Sequence, residues 1–149
     1  MPSNASTRKD PYGRFNFLLE IDGVTKAGFS EVSGLASETE VIEYREGNEK
    51  VNTPRKIPGL TKYTNITLKW GVTADKSLWN WYQTVIDGQV RRANGSIVLL
   101  DESRNEILRW NFRNAWPCKW EGPTLQASGN EVAIESIEIA HEGFELEQD

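Results

Sequence analysis

Two neighbouring segments constrain this chain more than any other feature. The first is Asn114-Ala115-Trp116-Pro117-Cys118-Lys119-Trp120-Glu121-Gly122-Pro123, which reads as a strand ending in aromatics and prolines. The second is Asn130-Glu131-Val132-Ala133-Ile134-Glu135-Ser136-Ile137-Glu138-Ile139-Ala140-His141-Glu142-Gly143. It reads as a long terminal strand from Glu131 to about Leu146, apolar on one side and acidic on the other, with a phase slip near Ser136. Period-two alternation recurs upstream, as half-buried strands require. Residues 14–22 set Phe15, Phe17, Leu19 and Ile21 against Arg14, Asn16, Leu18 and Glu20. Residues 64–72 set Ile66, Leu68 and Trp70 against Asn65, Thr67 and Lys69. Leu108, Trp110 and Phe112 alternate with Arg109, Asn111 and Arg113.

Turn chemistry divides these runs. Asp22-Gly23 tolerates positive φ at both positions and predicts a two-residue hairpin. The chain returns over residues 24–33, breaks at Gly34 and extends again over residues 36–46. Asn94-Gly95 opens a further hairpin element at residues 96–100. Its run Ile97-Val98-Leu99-Leu100 is apolar on both faces, the mark of a central, doubly covered strand. Arg104-Asn105 makes the following turn. One helix is expected, over residues 75–90: Asp75 caps it, and Leu78, Trp81, Tyr82, Val85 and Ile86 form one apolar stripe. Seven or so strands and one helix imply a mainly β fold with minor α content. The expected architecture is two packed antiparallel sheets, or a small barrel, with one flanking α-helix.

Residues 47–62 differ in kind. Gly47, Asn48, Asn52, Pro54, Pro58 and Gly59 are mixed with Lys50, Arg55, Lys56 and Lys62. A loop longer than about 12–15 residues is usually functional or disordered. Two readings stand side by side: a mobile surface excursion, or an arm that leaves its own domain and packs on a neighbour. The positive charge of the segment, within a chain of net charge −5, suits self-association between complementary patches. Residues 1–10 read as a flexible polar tail and residues 11–149 as a single domain.

Composition excludes several classes of function. Cys118 is the only cysteine and His141 the only histidine, so a Cys/His zinc site lacks ligands. Nucleophilic catalysis would have to run through His141 alone; its neighbours Glu138, Glu142 and Glu145 suggest a solvated acidic face instead. The acids of the last strand could supply a glycosidase carboxylate pair only if two shared one cleft. No loop is built to cradle phosphate. The chain is therefore not expected to be an enzyme or to hold a cofactor or metal. The mild acidity gives no general reason to expect tight nucleic-acid binding, which favours a basic face. No apolar run reaches the roughly 20 residues of a membrane helix, and no signal peptide is seen, so synthesis in the cytoplasm is expected. Six tryptophans serve either core and interface packing or an aromatic platform for sugars or bases. Trp116 and Trp120 are the candidates for such a platform.

An ordered series of motifs spanning residues 12–146 resembles one family. Phe29-Ser30-Glu31-Val32-Ser33-Gly34-Leu35 resembles an aromatic-x-x-Val-Ser-Gly-Leu signature. Val41-Ile42-Glu43-Tyr44-Arg45-Glu46-Gly47 is similar to the segment leading into that family's long arm. Pro58-Gly59 and Ile66-Thr67-Leu68-Lys69-Trp70-Gly71 are similar to the arm's return and the next strand. Leu78-Trp79-Asn80-Trp81 is similar to its helix. Asn114-Ala115-Trp116-Pro117 and Asn130-Glu131-Val132-Ala133 complete the set. The family is that of the tail-tube proteins of contractile phage tails and extracellular contractile injection systems.

The resemblance implies a structural subunit that assembles into hexameric rings with a continuous luminal β-barrel. Rings would stack into a rigid tube that is driven through a target envelope. The implied partners are further copies of the chain, a sheath outside the tube, a baseplate or spike adaptor at one end and a terminator at the other. Cargo in the lumen would be a protein effector or DNA, and the subunit itself would not insert into membrane. The tube would belong to a particle that can be released from the cell. In this setting Asn65, Thr67, Lys69, Glu131, Glu135 and Glu138 are the lumen-facing candidates. Gly47, Lys50, Arg55, Lys56, Pro58 and Lys62 are the inter-subunit arm candidates. Two alternatives are a tube-initiating baseplate adaptor of the same family and, from another class, a carbohydrate-binding β-sandwich.

Overall fold

A computed structural model describes residues 16–22, 24–48, 50, 53–129 and 133–148. The expected tail, the first two residues of the expected first strand, Gly23 and Glu131 lie outside the described residues. Ten strands and one helix are present among those described: β1 Asn16–Ile21, β2 Val24–Ala27, β3 Phe29–Ser33, β4 Ser37–Tyr44, β5 Arg55–Tyr63, β6 Ile66–Gly71, α1 Ser77–Ile86, β7 Ala93–Leu100, β8 Glu106–Glu121, β9 Ile134–Ala140 and β10 Phe144–Leu146. Eight strands make one antiparallel sheet in the order β2-β1-β7-β8-β9-β6-β3, with β10 also on β8. The sheet curls, bringing β3 back beside β1. The mainly β architecture with one flanking helix is therefore the observed one. Among the described residues no helix is long and apolar enough to cross a membrane.

The core follows the alternation. Leu19, Ile66, Leu68, Ile97, Ile137 and Ile139 are fully buried, and Trp70, Trp81 and Phe112 join them. At about 25 cal/mol per Å² of apolar surface removed from water, these side chains dominate the favourable side of folding. β7 lies between β1 and β8, and Ser96 through Leu100 are buried on both faces, as a doubly covered strand requires.

Sequence punctuation misleads in four places. Asn94-Gly95 is no turn: it lies inside β7, at a register shift opposite β8. The helix is shorter than expected, with Lys76 rather than Asp75 at its N-cap. Asp75 instead accepts the Ser77 N–H at 2.9 Å and pairs with Lys26 at 2.6 Å. The long loop is replaced by structure, because Arg55, Lys56, Pro58 and Lys62 belong to β5, which pairs with β4. Pro58 and Gly59, expected in a loop, lie inside this strand. In a two-stranded ribbon each strand has an open edge, where a missing N–H is tolerated, and a register shift between Thr39 and Val41 absorbs the one extra residue opposite.

The fourth correction concerns Asn114–Pro117, which ends no strand. β8 runs unbroken for 16 residues and turns a corner here. Asn114 has φ 51°, a conformation that asparagine adopts more readily than most residues. Its N–H donates to Asn94 Oδ1 at 2.9 Å, and its side-chain amide donates to Glu142 Oε1 at 2.9 Å. Through Ala115 β8 pairs with β7, and from Trp116 onward with β9. Pro117 is fully buried in the second half, where β8 has β9 on one side and no described strand on the other. Opposite the corner, β10 keeps the register of β9 on β8: Ala140 pairs with Trp116 and Phe144 with Phe112. The final strand is thus one line interrupted at Glu142–Gly143.

Candidate functional site: a polar sheet face and an unpaired hairpin

Residues opposite each other in adjacent strands share a face, so the registers define two rows across β3, β6, β9 and β8. One row is Ser33, Thr67, Glu138, Lys119; the other is Glu31, Lys69, Ser136, Glu121. The opposite face carries Ile66, Leu68, Trp70, Ile137 and Ile139, all in the core. The polar face is internally compensated. Lys69 lies 3.5 Å from Glu31 and Lys119 lies 2.8 Å from Glu121. Asn65 Nδ2 donates to Glu138 Oε2 at 2.8 Å. The Lys119 contact lowers the pKa of Glu121, and Glu121 in turn raises that of Lys119. Burial, with Glu138 nearby, pushes the Cys118 thiol up, away from reactive thiolate.

Asn65, Thr67, Lys69 and Glu138 are therefore brought together on one side. Glu135 is not. The β6–β9 ladder runs without a slip from Ile66–Ile139 to Gly71–Ile134, so Glu135 pairs with Trp70 on the core side. The slip expected near Ser136 is absent, because the strand begins only at Ile134 and no bulge interrupts it. Sequence reasoning missed Glu31, Lys119, Glu121 and Ser136. Their alternation is visible, but only the registers show that they share the face.

The hairpin β4–β5 pairs with no other described strand, and every side chain of β4 is exposed. It carries apolar residues into water: Val41 is 60% and Leu60 72% exposed, with Ile42, Tyr44 and Ile57 also exposed. Of the arm candidates, Arg55, Lys56, Pro58 and Lys62 stand on β5, while Gly47 and Lys50 lie near the tip. Gly34 sets the hairpin's departure. Its φ is +90°, and a Cβ there would run into the Asn65 carbonyl oxygen. His141 closes the other side of the hairpin's root. Its Nδ1 accepts the Gly143 N–H at 3.1 Å, so Nε2 carries the proton and donates to the Thr64 carbonyl at 2.9 Å. The expected acidic setting of His141 is instead aromatic, with Tyr63, Phe112 and Phe144 around the ring.

Both His141 nitrogens are spent on backbone groups. Glu135 and Glu138 point to opposite faces and share no cleft. Among the described residues no cluster of histidine, cysteine and carboxylates could hold a metal. Of the two platform candidates, Trp120 is packed against the core. Trp120 packs against Trp70 at 5.5 Å, Trp79 at 5.2 Å and Tyr82 at 6.4 Å, beneath α1. The indole N–H of buried Trp81 donates to the Arg91 carbonyl at 2.7 Å.

Known proteins match this fold and this chain. The family model of the T4-like virus tail tube protein gp19 matches residues 13–145. A chain in the PVC sheath–tube complex, an extracellular contractile injection system in its extended state, superposes with a TM-score of 0.83 at 26% identity, covering 99% of this chain and 98% of that one. A chain in the tube-terminating cap of the anti-feeding prophage gives 0.82 at 26% identity, covering 95% and 94%. Hcp1 from Flavobacterium johnsoniae shares the fold, with a TM-score of 0.58 at 14% identity over 88% and 94% of the two chains. No curated protein sequence matches.

Proposed function

The chain belongs to the T4-like virus tail tube protein family, and we infer from this that it is the repeating subunit of the inner tube of a contractile phage tail or injection system. Six copies close a ring, rings stack into a hollow tube, and residues 11–149 act as one tube-forming domain behind a tail at residues 1–10. A sheath surrounds the tube, an adaptor and a terminator hold its ends, and cargo travels in its lumen. The subunit catalyses nothing; the particle's contraction supplies the work.

The observation that carries this reading is the hairpin β4–β5. A subunit that worked alone would gain nothing from exposing Val41, Ile42, Ile57 and Leu60 on a ribbon with two open edges, which is an aggregation hazard unless a partner covers it. We assign the hairpin to contacts between copies, with Gly47, Lys50, Arg55, Lys56, Pro58 and Lys62 among its docking residues. We assign the lumen to the face of Asn65, Thr67, Lys69, Ser136 and Glu138. A polar lining in which each charge has a neighbour of opposite sign offers passing cargo neither an apolar grip nor a strip of one charge. Electron microscopy of the purified protein, with size-exclusion and light scattering, tests the reading. Rings or tubes are expected; a monomer at high concentration across several salts would overturn it.

A further inference from the structure

The hairpin keeps its charges unmixed. β4 carries Glu38, Glu40 and Glu43 and no base; β5 carries Arg55, Lys56 and Lys62 and no acid. Within the hairpin, Glu38 stands opposite Lys62 and Glu43 opposite Lys56, so each strand meets the opposite sign on its inner side. The outer side of each strand is a sheet edge with no strand partner among the described residues.

The geometry selects one occupant for these edges. Copies in a ring of more than two meet head to tail, so one presents its β4 edge where the next presents its β5 edge. Because β4 and β5 are antiparallel, hairpins pointing the same way bring β5 of one copy beside β4 of the next in antiparallel orientation too. The acidic–basic alternation then continues from copy to copy. Pairing β4 with β4, or β5 with β5, would place like charges opposite each other, which is destabilising. We propose that each hairpin's partner is the hairpin of a second copy, joined basic edge to acidic edge. This rests on the tube reading above.

The test is a full charge exchange, E38K/E40K/E43K/R55E/K56E/K62E. It keeps the opposite-sign pairs inside the hairpin and so keeps the subunit folded, which thermal melting checks. The exchanged protein should form tubes by itself. Mixed with wild type before assembly, it should sort into separate tubes, because every mixed junction sets like charges together. Failure of the folded variant to assemble, or free mixing with wild type, would overturn the proposal. A second measurement needs no variant. In wild-type tubes built from isotopically heavy and light chains, a carbodiimide should join Glu38, Glu40 or Glu43 of one copy to Lys56 or Lys62 of another. Tubes that form without any such mixed-label link overturn the proposal and leave the tube reading standing. Wild type that forms no tubes overturns the tube reading itself.

Discussion

Thr67 and Glu138 stand directly opposite each other in the β6–β9 ladder, on the side of the sheet away from Ile66, Leu68, Ile137 and Ile139. On the tube reading, this pair is expected to line the lumen. In tubes of a Cys118→Ser, Thr67→Cys variant, a small maleimide should label Cys at position 67 readily. A maleimide on a polymer too wide for the lumen should label it only in dissociated subunits. Equal labelling by both reagents in intact tubes would place Thr67 on the outside.

The hairpin can be removed at a defined point. Thr39 and Thr61 are paired, with their hydroxyl oxygens 2.8 Å apart. Joining them through Asn-Gly gives a two-residue turn that suits the strand twist. Since the ribbon beyond Thr39 and Thr61 adds nothing to the core, the melting temperature should stay within about 4 °C of wild type, the shift expected for roughly 1 kcal/mol or less. Long tubes should disappear from electron micrographs. Normal tubes from the shortened chain would make the hairpin an ordinary surface feature.

Gly34 is predicted to be irreplaceable for a reason inside the subunit. Its φ of +90° is strained for any L side chain, and a methyl group would meet the Asn65 carbonyl oxygen. Gly34→Ala should therefore destabilise the fold by about 1–3 kcal/mol, the usual range for such backbone strain. Urea unfolding would show it as a lower midpoint with an unchanged slope. An unaltered midpoint would mean that the chain between β3 and β4 relaxes freely.

Much of this architecture was legible because strand alternation is a local signal. Ile66-Thr67-Leu68-Lys69-Trp70 states its own burial, and the run Ile97–Leu100 states that it is covered twice. What escaped was relational. Pro58 and Gly59 read as breakers because the sequence does not show that β5 has an open edge. Asn114 reads as a strand end because the bonds that hold its positive φ come from Asn94 and Glu142, 20 and 28 residues away. Glu135 reads with Glu138 in the sequence because only the partner strand shows that no slip separates them. The polar rows across four strands exist only in the register. Family resemblance supplied the assembly that no single strand encodes.

Arg109 fastens three elements at once, and this yields a prediction about acid. It reaches Glu20 on β1 at 2.6 Å, Glu106 at 2.8 Å and Glu147, just beyond β10, at 3.7 Å. The Arg109 hydrogen bond holds Glu106 below its ordinary carboxylate range, which centres near about 4.3. A depressed carboxylate contributes stability that is complete above its unfolded value and is lost as pH falls through its folded value. The window is therefore the acid side, below about pH 4.3. Glu106 is partly exposed, so its own share is small, about 0–1 kcal/mol after screening. Arg109→Met also strips the partner from half-buried Glu20, which costs about 1–3 kcal/mol. Urea midpoints should thus separate wild type from Arg109→Met clearly at pH 7. The gap should narrow as the pH falls below about 4.3, because protonation of Glu106 removes its bond to Arg109. Hydrogen exchange should show Phe144–Leu146 loosening first in the variant. A gap of equal size at pH 7 and in acid would mean that the bond between Arg109 and Glu106 contributes nothing to it.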